Sequence, residues 1–139
     1  MLALEVVSLP VADVDRALAF YAQKVGFKLD VDYHPTPAFR VVQLTPPGSS
    51  CSVQLVTADS AARLRNLYLV TTDLAAERAA LIGRGVAVSE CRHKAPIDTW
   101  EGGFSAGLDA KRRDYASFAD FEDLDGNTWT LQERGYRAP

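Results

Sequence analysis

An α+β fold of two βαβββ modules is predicted by three features of the 139-residue sequence. The first is an internal repeat: residues 4–31, LEVVSLPVADVDRALAFYAQKVGFKLDV, and residues 66–90, NLYLVTTDLAAERAALIGRGVAVSE, pass through the same succession of residue types. The second is a matched pair of helix boundaries, Asp13 with Gly26 and Asp73 with Gly85. The third is the β-type sequence that follows each helix. One such unit alone leaves a sheet face open, so two must pair to bury a core.

Taken in order, Leu4 to Val11 read as a strand that ends at Asp13. That carboxylate suits an N-cap, because it can accept an orphan N–H of the first turn. Val14, Ala17, Leu18, Tyr21 and Val25 then follow helical spacing, and Gly26 fits the left-handed residue that stops a helix. FKLDVDY and FRVVQLT read as strands. PPGSS is a turn cluster, and CSVQLVT closes the first module, about residues 1–60. The second module, about residues 61–139, repeats the plan. NLYLV is a strand and Asp73 a cap. Leu74 and Leu81 lie seven apart on a helix, with Ile82 beside the second, and Gly85 is the stop before VAVSE, read as a strand. After a long loop, about residues 91–114, YASFADFE and TWTLQER form the last two strands around DLDGN.

Composition narrows the function. With 47% hydrophobic residues the chain can bury one core, and a net charge of −3 leaves no basic footprint for nucleic acid. The one basic cluster, Lys111, Arg112 and Arg113, is flanked by Asp109 and Asp114 and reads as a solvated loop. No apolar run reaches the roughly 20 residues of a membrane helix. MLALEVVSLP lacks the pattern of a signal peptide, and Cys51 and Cys91 make no disulfide framework. A cytoplasmic protein with two reduced thiols is expected, with no membrane partner.

LPVADVDRALAFYAQKVGF, NLYLVTTDLAAERAALIGRGV and FEDLDGNTWTLQE together resemble the vicinal oxygen chelate superfamily of glyoxalases, extradiol dioxygenases and bleomycin resistance proteins. The resemblance spans nearly the whole chain, as a single domain. It implies a curved eight-stranded sheet forming a cup, with the helices on its outer face, and a homodimer. Enzymes of this family hold a divalent metal at four strand positions. These correspond here to Val6, Gln54, Asn66 and Thr130. Valine has no donor atom, threonine offers a weakly coordinating hydroxyl, and the other two are neutral amides. Such a set does not hold a divalent ion against water, so no metal and no cofactor are predicted. A one-residue slip would offer Glu5 in place of Val6, but would turn it to the opposite sheet face.

If those four positions face inward, alternation adds Ser8, Ser52, Tyr68, Thr128 and Gln132 to the same face, while Trp129 and Leu131 point to the helix layer. A lining of this kind suits a small-molecule ligand. Gln54, Asn66, Tyr68, Thr130, Ser8 and Ser52 are therefore the candidate binding residues. Trp100 and Phe104 join them from the 91–114 loop, which carries Ile97 and Leu108 as well and either forms a lid or packs these residues against a partner subunit or its own core. Acid–base candidates are His34 in a Pro-rich turn, His93, Tyr68, Asp98 and Glu101. Cys91 and His93 form a two-residue pair without the further ligands a metal site needs. As a nucleophile, Cys91 would need an activating environment.

The expected function is metal-independent binding of a small, largely apolar metabolite or natural product, as a resistance or sequestration protein does. The alternative is an isomerase, lyase or cyclase using side-chain acid–base chemistry; a metal-dependent glyoxalase or dioxygenase ranks third. The acids of FEDLDGNTWTLQE invite a calcium-loop reading, which fails. With Gly126 at the sixth position, the first and twelfth are Phe121 and Gln132, where acids are needed. Asp125-Gly126-Asn127 is a strand-to-strand turn instead. Leu124 stands where the resembling family usually has proline, a departure expected to loosen it.

Overall fold

Asp13 and Asp73 both cap helices, as the repeat predicts. Each has extended backbone, and their carboxylates accept the N–H groups of Arg16 at 3.0 Å and Ala76 at 3.1 Å. The computed structural model describes residues 1–58, 62–97 and 102–139. Its contacts divide the chain into two units, Met1–Leu64 with Asp123–Asn127, and Arg65–Glu122 with Thr128–Pro139.

In the first unit, β1 (Val6–Val11), β2 (Lys28–Thr36), β3 (Phe39–Thr45) and β4 (Ser52–Thr57) form a sheet of order β1-β4-β3-β2. β1 and β4 run parallel and the other pairs antiparallel. Helix α1 (Val14–Ala19) does not continue as a plain α-helix: Phe20–Val25 is π-wound, with the Gly26 N–H donating to the Tyr21 carbonyl. The wider turn buries Phe20, Tyr21 and Val25 together, and Gly26 stops it at φ 91°. Alternation sends Leu9, Val11, Val42, Leu44, Val53 and Leu55 into the core.

In the second unit, β5 (Leu67–Thr71) and helix α2 (Leu74–Gly83) follow the expected plan. The segment after Gly85 departs from it. VAVSE makes only an isolated bridge, Val88 to Phe121. The reason is Ser89. Its backbone N–H donates to the Asp120 carbonyl at 2.8 Å, but its hydroxyl takes the Asp120 N–H at 2.8 Å and its carbonyl accepts from Arg78 Nε at 2.7 Å, so side chains take the place of the returning ladder bond. Strand structure resumes within the expected loop, as β6 (Arg92–Lys94) paired with β7 (Phe104–Ala106). With β8 (Ser117–Glu122) and β9 (Thr128–Glu133) the sheet order is β5-β9-β8-β6-β7. The described residues thus hold nine strands where eight were expected. α2 packs on β8 and β9, where Leu74, Leu81, Phe121, Trp129 and Leu131 are all buried and Phe121 and Trp129 stack at 6.2 Å, whereas Ile82 is exposed. Among the described residues no helix is long and apolar enough to cross a membrane.

The basic cluster is not the solvated loop expected of it. Arg112 forms a double hydrogen bond with the fully buried Glu133, and Arg113 pairs with the buried Asp109. Asp109 also accepts the Arg113 backbone N–H at 2.9 Å. These bonds from Arg113 hold the Asp109 carboxyl down at about 2, against an ordinary 3.8, despite its burial. A depressed native value means that this stability is present above the unfolded pKa and disappears as pH falls through the folded one. Asp109 is therefore expected to contribute about 2 kcal/mol at neutral pH, lost between about pH 4 and pH 2. In Asp109→Asn, urea unfolding followed across that range should show a correspondingly shallower loss.

Candidate functional site

The antiparallel pairing of β8 and β9 sets Asp120 directly opposite Thr130, and the parallel pairing of β5 and β9 sets Tyr68 beside Thr130. All three share the sheet face opposite α2, since successive residues of a strand alternate in direction. Thr130 is buried, and its hydroxyl donates to Asp120 Oδ1 at 2.8 Å. Arg92 on β6 grips the same carboxylate with both terminal nitrogens, Nη1 to Oδ2 at 2.5 Å and Nη2 to Oδ1 at 3.3 Å. Its guanidinium carbon also lies 5.1 Å from the Phe104 ring centre and 5.5 Å from that of Phe118. The two rings meet edge to face at 5.8 Å. This Thr–Asp–Arg network forms part of the wall of a cavity of about 720 Å³, which Arg65, Asn66, Ser89 and Thr128 also line. The volume falls in the range of small-molecule sites.

Asn66 enters the cavity wall with φ 57°, a left-handed conformation that asparagine tolerates, and its backbone N–H donates to Thr128 Oγ1 at 2.7 Å. Tyr68 is 60% exposed, on the same sheet face but outside the cavity lining. Lys94, two residues along β6 from Arg92, lies 5.9 Å from the Phe118 ring centre, and burial lowers its pKa.

Gln54, Ser8 and Ser52 belong to the first unit. Register places Val6 beside Ser52 and Ser8 beside Gln54, so the four share one face of that sheet. Ser52 is buried and bonded to Thr45, whose hydroxyl also donates to Asp30. Ser8 is exposed and Gln54 half-buried.

Among the described residues, the acid–base candidates His34, His93 and Tyr68 are not brought together in the cavity lining. His34 is an exposed residue of β2, not of a turn, because that strand runs on to Thr36. His93 engages the Gly107 carbonyl through Nδ1 at 2.9 Å and does not line the cavity. Asp98, Trp100 and Glu101 lie outside the described residues. Burial pushes the Cys91 thiol pKa up, the opposite of what activates a nucleophile.

A divalent metal does not suit the family positions. Val6 has no donor, and the Thr130 hydroxyl is committed to a carboxylate already paired with a guanidinium. A dication beside Arg92 would meet like charge. Sequence reasoning missed Asp120, Arg92 and Ser89. The DLDGN turn, once placed, pairs Thr130 with Asp120, so the aspartate was accessible from register alone. Arg92 was not, since it sits in a segment without periodicity.

The family model described as glyoxalase/bleomycin resistance protein/dioxygenase superfamily matches residues 3–131. Among solved structures, the chain is similar to TnmS3, described as an antibiotic binding protein from Streptomyces sp. CB03234. The identity is 31%, the match covers 96% of each chain, and the TM-score is 0.70. It is similar also to a glyoxalase/bleomycin resistance protein from the same organism, at 31% identity over 94% of this chain and 100% of that one, with a TM-score of 0.68. A superfamily member from Sphaerobacter thermophilus DSM 20745 shares the fold at 22% identity, covering 96% and 98%, with a TM-score of 0.70. No curated protein matches the chain. By fold, by module order and by a match that takes in nearly its whole length, the chain belongs to the glyoxalase/bleomycin resistance protein/dioxygenase superfamily.

Proposed function

We propose that this protein binds a small molecule, without a metal, in the cavity of its second unit, as a cytoplasmic resistance or sequestration protein would. The cavity carries the reading: about 720 Å³ bounded by preset hydrogen-bonding groups. A relative of 31% identity described as antibiotic-binding supports an antibiotic or related natural product as the occupant. Arg92, Asp120, Asn66 and Thr128 in the lining favour a more polar ligand than the sequence pattern suggests. Metal independence is supported by the donor set at the four family positions. Of the candidates for the enzyme alternative, His93 and Tyr68 stand outside the cavity lining.

Native mass spectrometry of protein taken from its own host cells tests this. A non-covalently held molecule of a few hundred daltons is expected (the mass such a volume admits), released unchanged after prolonged incubation. Ala87→Trp, which fills the cavity wall, should carry none. A chemically altered occupant would point to the enzyme reading, and stoichiometric Ni, Zn, Fe or Mn by elemental analysis would overturn metal independence. The reading includes a homodimer, supported by the edge strand β2, whose Leu29, Val31 and Tyr33 are exposed in the single chain. Analytical ultracentrifugation should show twice the chain mass.

A further inference from the structure

We propose that this cavity selects an anionic ligand, a carboxylate or equivalent oxygen pair on a flat apolar body, and that Arg92 is the residue that recognises it. The inference rests on the small-molecule reading and adds the charge and shape of the ligand.

Arg92 is held ready before any ligand arrives. Asp120 takes one N–H from each terminal nitrogen, and the Phe104 and Phe118 rings flank the guanidinium. A guanidinium has five N–H donors in a rigid plane. Two are engaged, so three remain for a ligand. Asp120 is in the opposite condition: Oδ1 already accepts from Thr130 and Arg92, and Oδ2 from Arg92. The pair therefore offers donors more than acceptors, although its charges cancel.

The neighbouring charges add to this. Arg65 also lines the cavity and, among the described residues, has no partner. Lys94 follows Arg92 on the same face of β6. Against these stands Glu122, an exposed acid of the lining with no partner among the described residues. Within the lining Arg65 and Arg92 balance Asp120 and Glu122, and Lys94, beyond the lining on the same face of β6, tips the surroundings positive by one charge in a chain of net charge −3. A forked guanidinium matches a carboxylate with two parallel N–H···O bonds, and one already immobilised loses little entropy in making them. The half-exposed Phe104 ring beside it supplies a flat surface on which a conjugated body can stack.

Isothermal titration with three probes of one shape tests the proposal: 2-naphthoate, its neutral isostere 2-naphthamide, and the 2-naphthylmethylammonium cation. The acid is expected to bind about tenfold more tightly than the amide, the worth of one charge-assisted pair of hydrogen bonds. That ratio should shrink at high salt. Arg92→Gln should bring it close to one, and Arg92→Lys, which keeps the charge but not the fork, should fall between. Asp120 is partly exposed, so its loss of a partner in these variants leaves the fold intact. A purely structural Arg92 would lower all affinities together and leave the ratio unchanged, which overturns the proposal. Equal binding of acid and amide, or preference for the cation, also overturns it while the cavity reading stands. Failure of all three probes to bind at millimolar concentration overturns it too. The cavity reading falls with it only if Ala87→Trp also leaves the natively bound molecule in place.

Discussion

Replacing Arg112 by methionine is expected to destabilise the protein by about 3–5 kcal/mol, read as a lower urea midpoint at unchanged slope. Glu133 is fully buried, and its two oxygens accept from Arg112 Nε at 2.7 Å, from Arg112 Nη2 at 2.5 Å and from the Leu74 N–H at 2.8 Å. The pairing raises the Arg112 pKa further above its already high ordinary value, so the guanidinium stays charged at every working pH. Without the guanidinium, a carboxylate is left uncompensated in the core, next to the first residue of α2. Packing is lost as well, since the guanidinium carbon lies 3.6 Å from the Tyr136 ring centre. Methionine keeps a side chain at φ 50°, so the backbone strain there is the same before and after the change. Adding Glu133→Gln removes the buried charge yet leaves an acceptor for Leu74. The double variant should recover about 2 kcal/mol of the loss. A cost below about 1 kcal/mol for Arg112→Met, the range of exposed ion pairs, would mean that water reaches Glu133.

That pair shows where sequence reading stops. The helix caps, the left-handed glycines and the alternation of the strands depend on residues within a few positions of one another, and the sequence displays them directly. Asp13, Asp73 and Gly26 stand where local rules put them. Partners distant in the chain are different. Nothing near Lys111-Arg112-Arg113 indicates that Arg112 meets a carboxylate 21 residues away, and the flanking Asp109 and Asp114 suggested only mutual solvation. The Ser89 hydroxyl takes the place of a ladder acceptor for Asp120, 31 residues further on. The π-winding of Phe20–Val25 is likewise imposed by packing, because the spacing of Val14, Ala17, Tyr21 and Val25 already suits an α-helix. The candidate site divides in the same way. Asn66 and Thr130, found through the repeat and the resemblance, line the cavity. Arg92, which gives the cavity its chemistry, lies on a three-residue strand too short to show a period.

Asp123→Ala is expected to cost about 4 kcal/mol, because one buried carboxylate gathers the whole turn between β8 and β9. Its Oδ1 accepts the N–H groups of Asp125 at 2.8 Å and Asn127 at 2.9 Å. Its Oδ2 accepts the Tyr21 hydroxyl at 2.6 Å and Asn127 Nδ2 at 2.7 Å. Asn127 is fully buried and extends the network, donating to the Pro10 carbonyl and accepting from the Leu64 N–H, each at 2.8 Å. With leucine at 124, the turn is held by these hydrogen bonds. The other acids should matter less. Asp125 receives one exposed bond, from the Ala12 N–H at 3.0 Å, so Asp125→Ala should cost about 1 kcal/mol. Tyr21→Phe removes the charge-assisted bond to Asp123 and should cost about 2 kcal/mol. Asp123→Asn should be nearly as damaging as alanine, since an amide would turn a donor toward groups that are themselves donors. The order of these four losses in urea distinguishes a scaffold from an ion site. Calcium adds a further check. Both Asp123 oxygens already accept two hydrogen bonds each, leaving no lone pairs aimed at an ion, so millimolar calcium should leave the melting temperature of the wild-type protein unchanged.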